Sequence, residues 1–268
     1  MFSTITLITD FGLEDGHVGA MKGVIRSIAP EATIVDISHF VPPQDIRKAA
    51  YVLFTAYPYY PTGTVHVVVV DPGVGTERRA IALQTSAAYF VAPDNGVLSY
   101  VLDREVVEAA VQLTNSGYWH HPVSDIFHGR DIFGPGGAHL AKGVPLQSLG
   151  ELLDPATLAT FPLSRPERRP DGSITAQVVV IDSFGNLITN LPADWLASTF
   201  TWEIEVASQR IRGLQRTFGD VAENQLVAFI DSEGFLAIAV RNGDAARKLG
   251  AQEGDQVLLR RHCGADSY

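Results

Sequence analysis

Apolar and polar positions along this chain follow two different periods. Thr4 to Thr9, Thr33 to Ser38, Thr64 to Val70 and Tyr89 to Ala92 are short apolar runs rich in β-branched and aromatic residues, the length and composition of buried strands. Between them, Val18 to Ile28 and Asp45 to Tyr57 repeat apolar residues at helical spacing. Gly96 to Leu102 predicts the start of a further helix, and Ile132 to Ala141 another, entered through Gly134-Pro135-Gly136-Gly137. Strands that alternate with helices predict βαβ units and a mainly parallel sheet flanked by helices.

The pattern changes near Leu163-Ser164-Arg165-Pro166-Glu167-Arg168-Arg169-Pro170-Asp171-Gly172, where proline and charge accumulate as in an exposed connection. The predicted domains are therefore residues 1–165, an α/β domain, and residues 172–268. In the second, Ile174 to Ile181, Trp202 to Val206, Leu226 to Ile230, Phe235 to Val240 and Gln256 to Arg260 read as strands separated by turns, with Ala245 to Leu249 a brief helical turn. That spacing predicts a small β-barrel or β-sandwich. No internal repeat or low-complexity segment interrupts either part.

Composition narrows the class. The 268 residues are 46% hydrophobic, enough for a substantial core, and the formal charge of −10 argues against a sequence-independent grip on nucleic acid, which needs a basic face. The single cysteine, Cys263, excludes an intramolecular disulfide and a cysteine-rich metal site. The start, Met1-Phe2-Ser3-Thr4-Ile5-Thr6-Leu7, lacks the basic and apolar parts of a secretory signal, and no apolar run approaches the roughly 20 residues of a spanning helix. The expectation is a soluble cytoplasmic protein without nucleic-acid or membrane partners.

Candidate chemistry sits where strands end. The four strands are followed by Asp10-Phe11-Gly12, His39, Asp71 and Pro93-Asp94-Asn95-Gly96. If the strands run parallel, right-handed crossovers bring these ends to one edge of the sheet, where ligands bind in open α/β folds. Asp71-Pro72-Gly73-Val74-Gly75-Thr76-Glu77-Arg78-Arg79 puts an acid and two arginines at that edge. Asp71 alone suits a plain turn residue, but a loop returning over the strand end would set a guanidinium beside its carboxylate.

Phe127-His128-Gly129-Arg130-Asp131-Ile132-Phe133-Gly134-Pro135 adds a histidine, which is either a core histidine or a site residue whose neighbouring glycine admits a ligand. In the second half, Asp182-Ser183-Phe184-Gly185-Asn186 offers an acid, an aromatic face and an amide, a set that suits a nucleoside or amino acid and equally a hairpin turn. Asp231-Ser232-Glu233-Gly234-Phe235 reads as hairpin or ligand loop in the same way. Asp10, Asp15, His17, Asp36, His39, Asp71 and His128 invite a metal hypothesis, since histidine and carboxylate suit zinc, iron or manganese. Neither His-Glu-x-x-His nor Cys-x-x-Cys accompanies them, and Gly73-Val74-Gly75-Thr76 lacks the lysine of a phosphate-cradling loop.

Taken together, Thr9-Asp10-Phe11-Gly12, Ile34-Val35-Asp36-Ile37-Ser38-His39, Asp71 through Arg79, Pro93-Asp94-Asn95-Gly96, Phe127 through Pro135 and Asp182 through Asn190 resemble the S-adenosyl-L-methionine hydroxide adenosyltransferases, relatives of the adenosyl fluorinase and chlorinase. The resemblance spans nearly the whole chain. It implies an α/β domain followed by a β-barrel, and a homotrimer with active sites between neighbouring subunits. It also implies a reaction in which water or hydroxide attacks C5′ of S-adenosyl-L-methionine and leaves adenosine and L-methionine, with no cofactor or metal. The family's Asp-Arg-His set falls on Asp71, Arg78 and His128. Asp10 matches the acid placed on the ribose hydroxyls, and Asp182, Phe184 and Asn186 match positions around the methionine and adenosine portions. With Asp94, Asn95 and Ser232 these form the expected substrate-binding set.

The implied chemistry fits these residue types. Water gains nucleophilicity if a placed base receives its proton, a role open to either His128 or Asp71, while Arg78 stabilises incipient hydroxide. The leaving group is a neutral thioether and needs no proton. Halogenases carry a tyrosine in place of Asp71, and the fluorinase a serine in place of Gly129 and an insertion where Gln84-Thr85-Ser86-Ala87-Ala88-Tyr89 is short. All three departures imply hydroxide as nucleophile. Near the C-terminus, Arg241 occupies the place of an expected asparagine in Ile238-Ala239-Val240-Arg241-Asn242-Gly243, so no residue there is assigned to adenine. Two other readings remain open at this level: a metal-dependent hydrolase at the sheet rim, and a trimeric protein that binds adenosine or S-adenosyl-L-methionine without turnover.

Overall fold

The computed structural model describes residues 4–196 and 200–262, so Cys263 lies outside the described residues. The chain forms two compact units, Met1–Pro162 and Leu163–Tyr268. In the first, β1 (Thr4–Thr9), β2 (Thr33–Ser38), β3 (Thr64–Val69), β4 (Ala80–Thr85), β5 (Ala88–Pro93), β6 (Val107–Gln112) and β7 (Glu151–Leu152) make one sheet in the order β2-β1-β3-β5-β4-β6-β7. The four strands read from the sequence, β1, β2, β3 and β5, all run parallel. β4 pairs antiparallel with both β5 and β6, and β7 antiparallel with β6, so the sheet as a whole is mixed. Only Ser86 and Ala87 separate β4 from β5, a connection that allows a hairpin and excludes a parallel crossover.

The run of valines in β3 explains the layering. Val65, Val67 and Val69 enter one core with Met21 and Ile25, while Val68 and Val70 enter the other with Ala49, Ala50 and Leu53. A strand covered on both faces reads as continuous apolar sequence, because successive side chains point to opposite layers. Helix α1 (His17–Ile28) and α4 (Gly134–Ala141) cover the first face, and α2 (Ile46–Ala56) with α3 (Ser99–Arg104) the second. Asp45 starts α2 by accepting the Lys48 amide at 2.9 Å. The glycine-rich entry to α4 has a packing reason. A Cβ at Gly137 would stand 2.5 Å from a Val67 methyl carbon, so only glycine lets this helix lie directly on β3.

The second unit is an antiparallel sheet curled into a nearly closed barrel. Strands β8 (Glu167–Arg168), β9 (Ile174–Ile181), β10 (Leu187–Pro192), β11 (Thr201–Val206), β12 (Gln209–Arg212), β13 (Leu226–Ile230), β14 (Phe235–Val240) and β15 (Gln256–His262) build it, with α5 (Ala245–Leu249) between the last two. The order is β12-β11-β15-β9-β10-β14-β13, and its two ends approach where the Gln215 amide donates to the Ala228 carbonyl at 2.8 Å. β9 alternates buried and half-buried positions along its eight residues, the period-two pattern of a strand facing one core. The segment expected as an exposed connection instead contains β8, which pairs with β9 as Glu167↔Thr175 and Arg168↔Ile174. Two charged residues on a short edge strand leave no apolar signal to read.

Candidate active site

Asp71 follows β3 and is nearly buried, with 6% of its side chain exposed. The loop after it turns twice, the Val74 amide donating to the Asp71 carbonyl and the Thr76 amide to the Gly73 carbonyl, and this brings Arg78 back over the strand end. Arg78 Nε lies 2.9 Å from each Asp71 carboxylate oxygen, and Nη2 also donates to Oδ2. The guanidinium is 5.0 Å from the centre of the Phe133 ring, which supports it from below. Arg78 Nη2 is also 2.8 Å from His128 Nδ1. Asp71 and Arg78, 7 positions apart, and His128, 50 positions beyond Arg78, thus form one contiguous set.

The donor inventory decides the state of His128. A guanidinium can only donate, so Nδ1 accepts and the ring proton resides on Nε2, the neutral tautomer. Burial, and then the neighbouring Arg78 charge, hold His128 below its ordinary value of 6.5, against the opposing pull of Asp71, Asp131 and Asp125. His128 leads into a π-helical turn, Gly129–Phe133, in which the Gly134 amide donates to the Gly129 carbonyl. Such turns recur at functional sites because the extra residue re-aims its side chains. Next to it, buried Asp131 accepts from Arg130 at 2.6 and 2.9 Å and from the Ser124 amide at 2.8 Å, anchoring the loop that precedes His128. Gly129 abuts Phe11: a Cβ there would meet the Phe11 ring at 3.1 Å and Val69 at 3.4 Å. The space that a side chain at this position would take is therefore filled by Phe11 and Val69.

Asp10, at the end of β1, accepts the Gln44 amide on Oδ2 at 2.8 Å, and Gln44 holds a left-handed backbone (φ 67°) to make that contact. Among the described residues Oδ1 has no partner. Phe11, His17 and Phe127 form an aromatic group beside the site, with centroids 5.3 to 6.2 Å apart. Sequence reasoning passed over Gln44, Phe11, Phe127 and Phe133; the Pro42-Pro43-Gln44-Asp45 turn was the signal for the first, and nothing local marks the others.

Asp94 and Asn95 serve the frame. Asp94 accepts from Arg79 Nε at 2.7 Å and from the Ala159 amide at 2.7 Å, while Arg79 also reaches the Thr157 carbonyl at 2.5 Å. Its carboxylate is thereby engaged within the unit. Asn95 Nδ2 donates to the Val70 carbonyl at 2.9 Å, and its Oδ1 caps the Val97 amide at 3.2 Å. Asn95 thus holds the peptide immediately before Asp71.

The residues of the metal hypothesis do not converge. Among the described residues no group of three or more His, Cys, Asp or Glu side chains is arranged to hold a metal ion. Asp15 is exposed, His17 packs on Phe127, and His39 is bonded to Thr9. His39 and Asp36 belong to a network that ends at the Asp10 loop.

In the second unit, Asp182, Phe184 and Asn186 form the β9–β10 turn. Asp182 Oδ1 accepts the Phe184 amide at 2.8 Å and the Asn186 amide at 2.9 Å, and Oδ2 accepts Asn186 Nδ2 at 2.8 Å. The turn presents Phe184 with 76% of its surface exposed. The hairpin reading of this segment and its role in presenting an aromatic face are one structure. Ser232 lies in the β13–β14 turn, its hydroxyl 3.0 Å from Glu233 Oε1. Beside it, Asp231 is pushed up by burial against the pull of the Phe235 and Glu233 amides that it accepts.

Comparisons with known proteins identify the family. Residues 5–150 match the SAM hydroxide adenosyltransferase N-terminal domain and residues 176–258 its C-terminal domain. A protein from Salinispora tropica named (R)-S-adenosyl-L-methionine hydrolase is 43% identical over 95% of this chain and 97% of its own length. A fluorinase from Actinopolyspora mzabensis is 25% identical over 96% of this chain and 97% of its own. The crystal structure of an uncharacterized conserved protein from Thermotoga maritima superposes with a TM-score of 0.89 at 38% identity, covering 96% of this chain and all of that one. With both domains matched in order along its length, this chain belongs to the SAM hydroxide adenosyltransferase family.

Proposed function

We propose that the protein hydrolyses S-adenosyl-L-methionine to adenosine and L-methionine through Asp71, Arg78 and His128. The observation that carries the reading is the hydrogen-bonded Asp71–Arg78–His128 set at the carboxyl end of β3, in a chain 43% identical to a protein named for this reaction. An oxygen–C5′ bond forms as the C5′–sulfur bond breaks, and the bonding pair neutralises the sulfonium. The water proton needs an acceptor. Arg78 has no lone pair, and His128 uses its one free pair on Arg78. A carboxylate has about four lone-pair sites, and Arg78 presents Asp71 with two N–H groups, Nε–H shared between both oxygens and one Nη2–H on Oδ2, so free lone pairs remain. Asp71 is therefore the proton acceptor, a contribution of roughly 10²–10⁴-fold for a placed base. Arg78 holds the developing hydroxide, and His128 keeps Arg78 in place from its far side.

Asp10, through its unpartnered Oδ1, takes the ribose hydroxyls, and Phe184 with the Asp182–Asn186 turn takes the methionine or adenine portion. Asp94 and Asn95, in the expected substrate-binding set, also act through the frame, Asp94 by its pairing with Arg79 and Asn95 by holding the Val70 carbonyl. A homotrimer with sites between subunits fits the exposed apolar residues near the rim: Leu13, Phe40 and Ile126 are 55%, 72% and 78% exposed beside Asp10, His39 and His128. No described helix is long and apolar enough to cross a membrane; together with a sequence of one cysteine, this supports a cytoplasmic location.

Incubation with S-adenosyl-L-methionine in EDTA without halide, followed by chromatography, tests the reading. Because L already specifies the amino-acid centre, the R in the relatives' name describes the sulfonium, so each sulfonium epimer is assayed separately. Equal release of adenosine and methionine, abolished in Asp71→Asn, is the expected result. Turnover that requires an added divalent ion would replace it with the metal-dependent reading, and intact ligand recovered without turnover would replace it with binding alone.

A further inference from the structure

The Asp10 loop is held by a chain of donors and acceptors that reaches the far surface of the sheet edge. The Phe11 amide donates to Thr9 Oγ1 at 3.2 Å, and Thr9 Oγ1 is 2.8 Å from His39 Nδ1. On the other side of the ring, His39 Nε2 lies 3.0 Å from Asp36 Oδ1, off the N–H axis, so that pairing is electrostatic rather than an aligned hydrogen bond. Lys22 Nζ closes the chain 2.5 Å from Asp36 Oδ2. Burial alone would raise the Asp36 carboxyl, but Lys22 and His39 outweigh it and hold the group below its ordinary 3.8. The neighbouring carboxylate places the His39 proton on Nε2, so Nδ1 accepts from the Thr9 hydroxyl and the Thr9 oxygen accepts from Phe11. Phe11, Thr9 and His39 then orient their protons in one direction, towards Asp36, so that each contact polarises the next, while Lys22 donates to the same carboxylate from the other side. His39 also accepts the Gly12 amide on its carbonyl at 2.8 Å. Thr9 and His39 are almost fully buried, so the chain has no solvent to replace it.

These contacts bracket Asp10. Thr9 is fixed before it, Phe11 and Gly12 after it, and its own Oδ2 is fixed by Gln44. We propose that Thr9, His39 and Asp36 form a relay that positions the Asp10 carboxylate for the ribose hydroxyls, with His39 as the positioning residue at its centre. The ribose part rests on the function proposed above. None of the three touches the substrate; they act by restricting where Oδ1 points, so that the carboxylate does not lose orientational freedom on binding.

The test uses adenosine as the probe, titrated calorimetrically into Thr9→Val, which keeps the side-chain shape and removes the hydroxyl, and into Thr9→Ser, which restores it. The relay predicts an adenosine dissociation constant raised about tenfold in Thr9→Val, the loss expected for one buried hydrogen bond, and near-normal binding in Thr9→Ser. It also predicts that Thr9→Val adds nothing in an Asp10→Asn background, because both changes remove the same contact. His39→Asn, which can still accept from Thr9, is expected to bind better than His39→Leu. Wild-type affinity in Thr9→Val, or full additivity with Asp10→Asn, would overturn the relay. Hydrogen exchange of the Phe11 amide requires no ligand and separates the two failures. Faster exchange in Thr9→Val with no adenosine binding by the wild type keeps the relay and removes the ribose assignment, whereas unchanged exchange removes the relay itself.

Discussion

Asp71 and Asp94 occupy matching places in this fold. Both stand at the carboxyl ends of neighbouring parallel strands, both are nearly buried at 6% and 5% side-chain exposure, and both pair with an arginine from the same dipeptide, Arg78-Arg79. Their surroundings differ. Arg78 continues to His128, so Asp71 belongs to a set that contains a second titratable side chain. Arg79 continues to the Thr157 carbonyl, and the Ala159 amide takes the other oxygen of Asp94. The proposed function makes the first pair catalytic and the second structural, because one guanidinium goes on to a histidine and the other to backbone. Adjacent residues entering a strand point to opposite faces, which sends the two arginines to different partners.

The largest expected effect breaks this comparison at the acids. Asp71→Asn should lower turnover by about 10³-fold through loss of the proton acceptor, with little change in substrate affinity or melting temperature. Asp94→Asn should keep turnover within tenfold of wild type, roughly the cost of a small misplacement, and destabilise the fold by about 2 kcal/mol as Arg79 loses a buried charged partner. Steady-state kinetics and denaturant unfolding on the same preparations check both. Equal kinetic loss in the two variants would remove the distinction.

At the arginines the expected effects are smaller. Arg78→Lys retains charge but loses the fork that meets two carboxylate oxygens and the histidine at once, and should cost about 10²-fold in turnover. Arg79→Lys should appear in stability, at about 1–2 kcal/mol.

Two histidines sharpen the comparison through pH. His128 must be neutral to accept from Arg78, and burial with the Arg78 charge holds it below 6.5. Turnover should therefore persist as pH falls past 6.5 and decline only below it, and His128→Asn, which accepts without titrating, should move that acid limb lower. His66 lies in the core, stacked on Phe90 and bonded to Thr6 at 2.7 Å, and burial pushes it down to about 4. Between its ordinary 6.5 and 4 the unfolded chain binds the extra proton. Its stabilisation is thus complete above 6.5 and lost as pH falls towards 4, by about 3 kcal/mol in all. Unfolding midpoints measured across that range, with His66→Phe as the non-titrating control, check the slope.

The smallest effect concerns the second unit. Phe184→Ala should raise KM about threefold and leave the melting temperature unchanged, since substitution of a mostly exposed side chain shifts stability by no more than about 0.5 kcal/mol. Phe184 is 76% exposed in the folded chain.

Much of the fold was legible because periodicity reports burial. The apolar runs of β1, β2, β3 and β5 and the helical spacing of α1 and α2 appear at the predicted places. The sequence does not mark β6 as a strand, nor the antiparallel direction of β4 and β6, because alternation records which faces are covered and nothing about strand direction. β8 was missed because two charged residues carry no such record. In the site, the acids, arginines and histidine stood out by type and by their place after strands. The aromatic supports Phe11, Phe127 and Phe133 did not, since an aromatic residue under a guanidinium and one in a core look alike in sequence.

By itself the sequence determined the alternation of strands with helices, the collection of polar strand ends at one rim and the residue types that stand there, Asp71, Arg78 and His128 among them. Only the tertiary structure decided that Arg78 joins Asp71 to His128 while Arg79 closes on Asp94, that Asn95 braces the peptide before Asp71, and that His39 bonds Thr9 beneath the Asp10 loop. The reason is geometric. Composition and period fix which groups leave water, whereas the partner of each buried polar group depends on directions within a few tenths of an ångström, set by strand register and loop return.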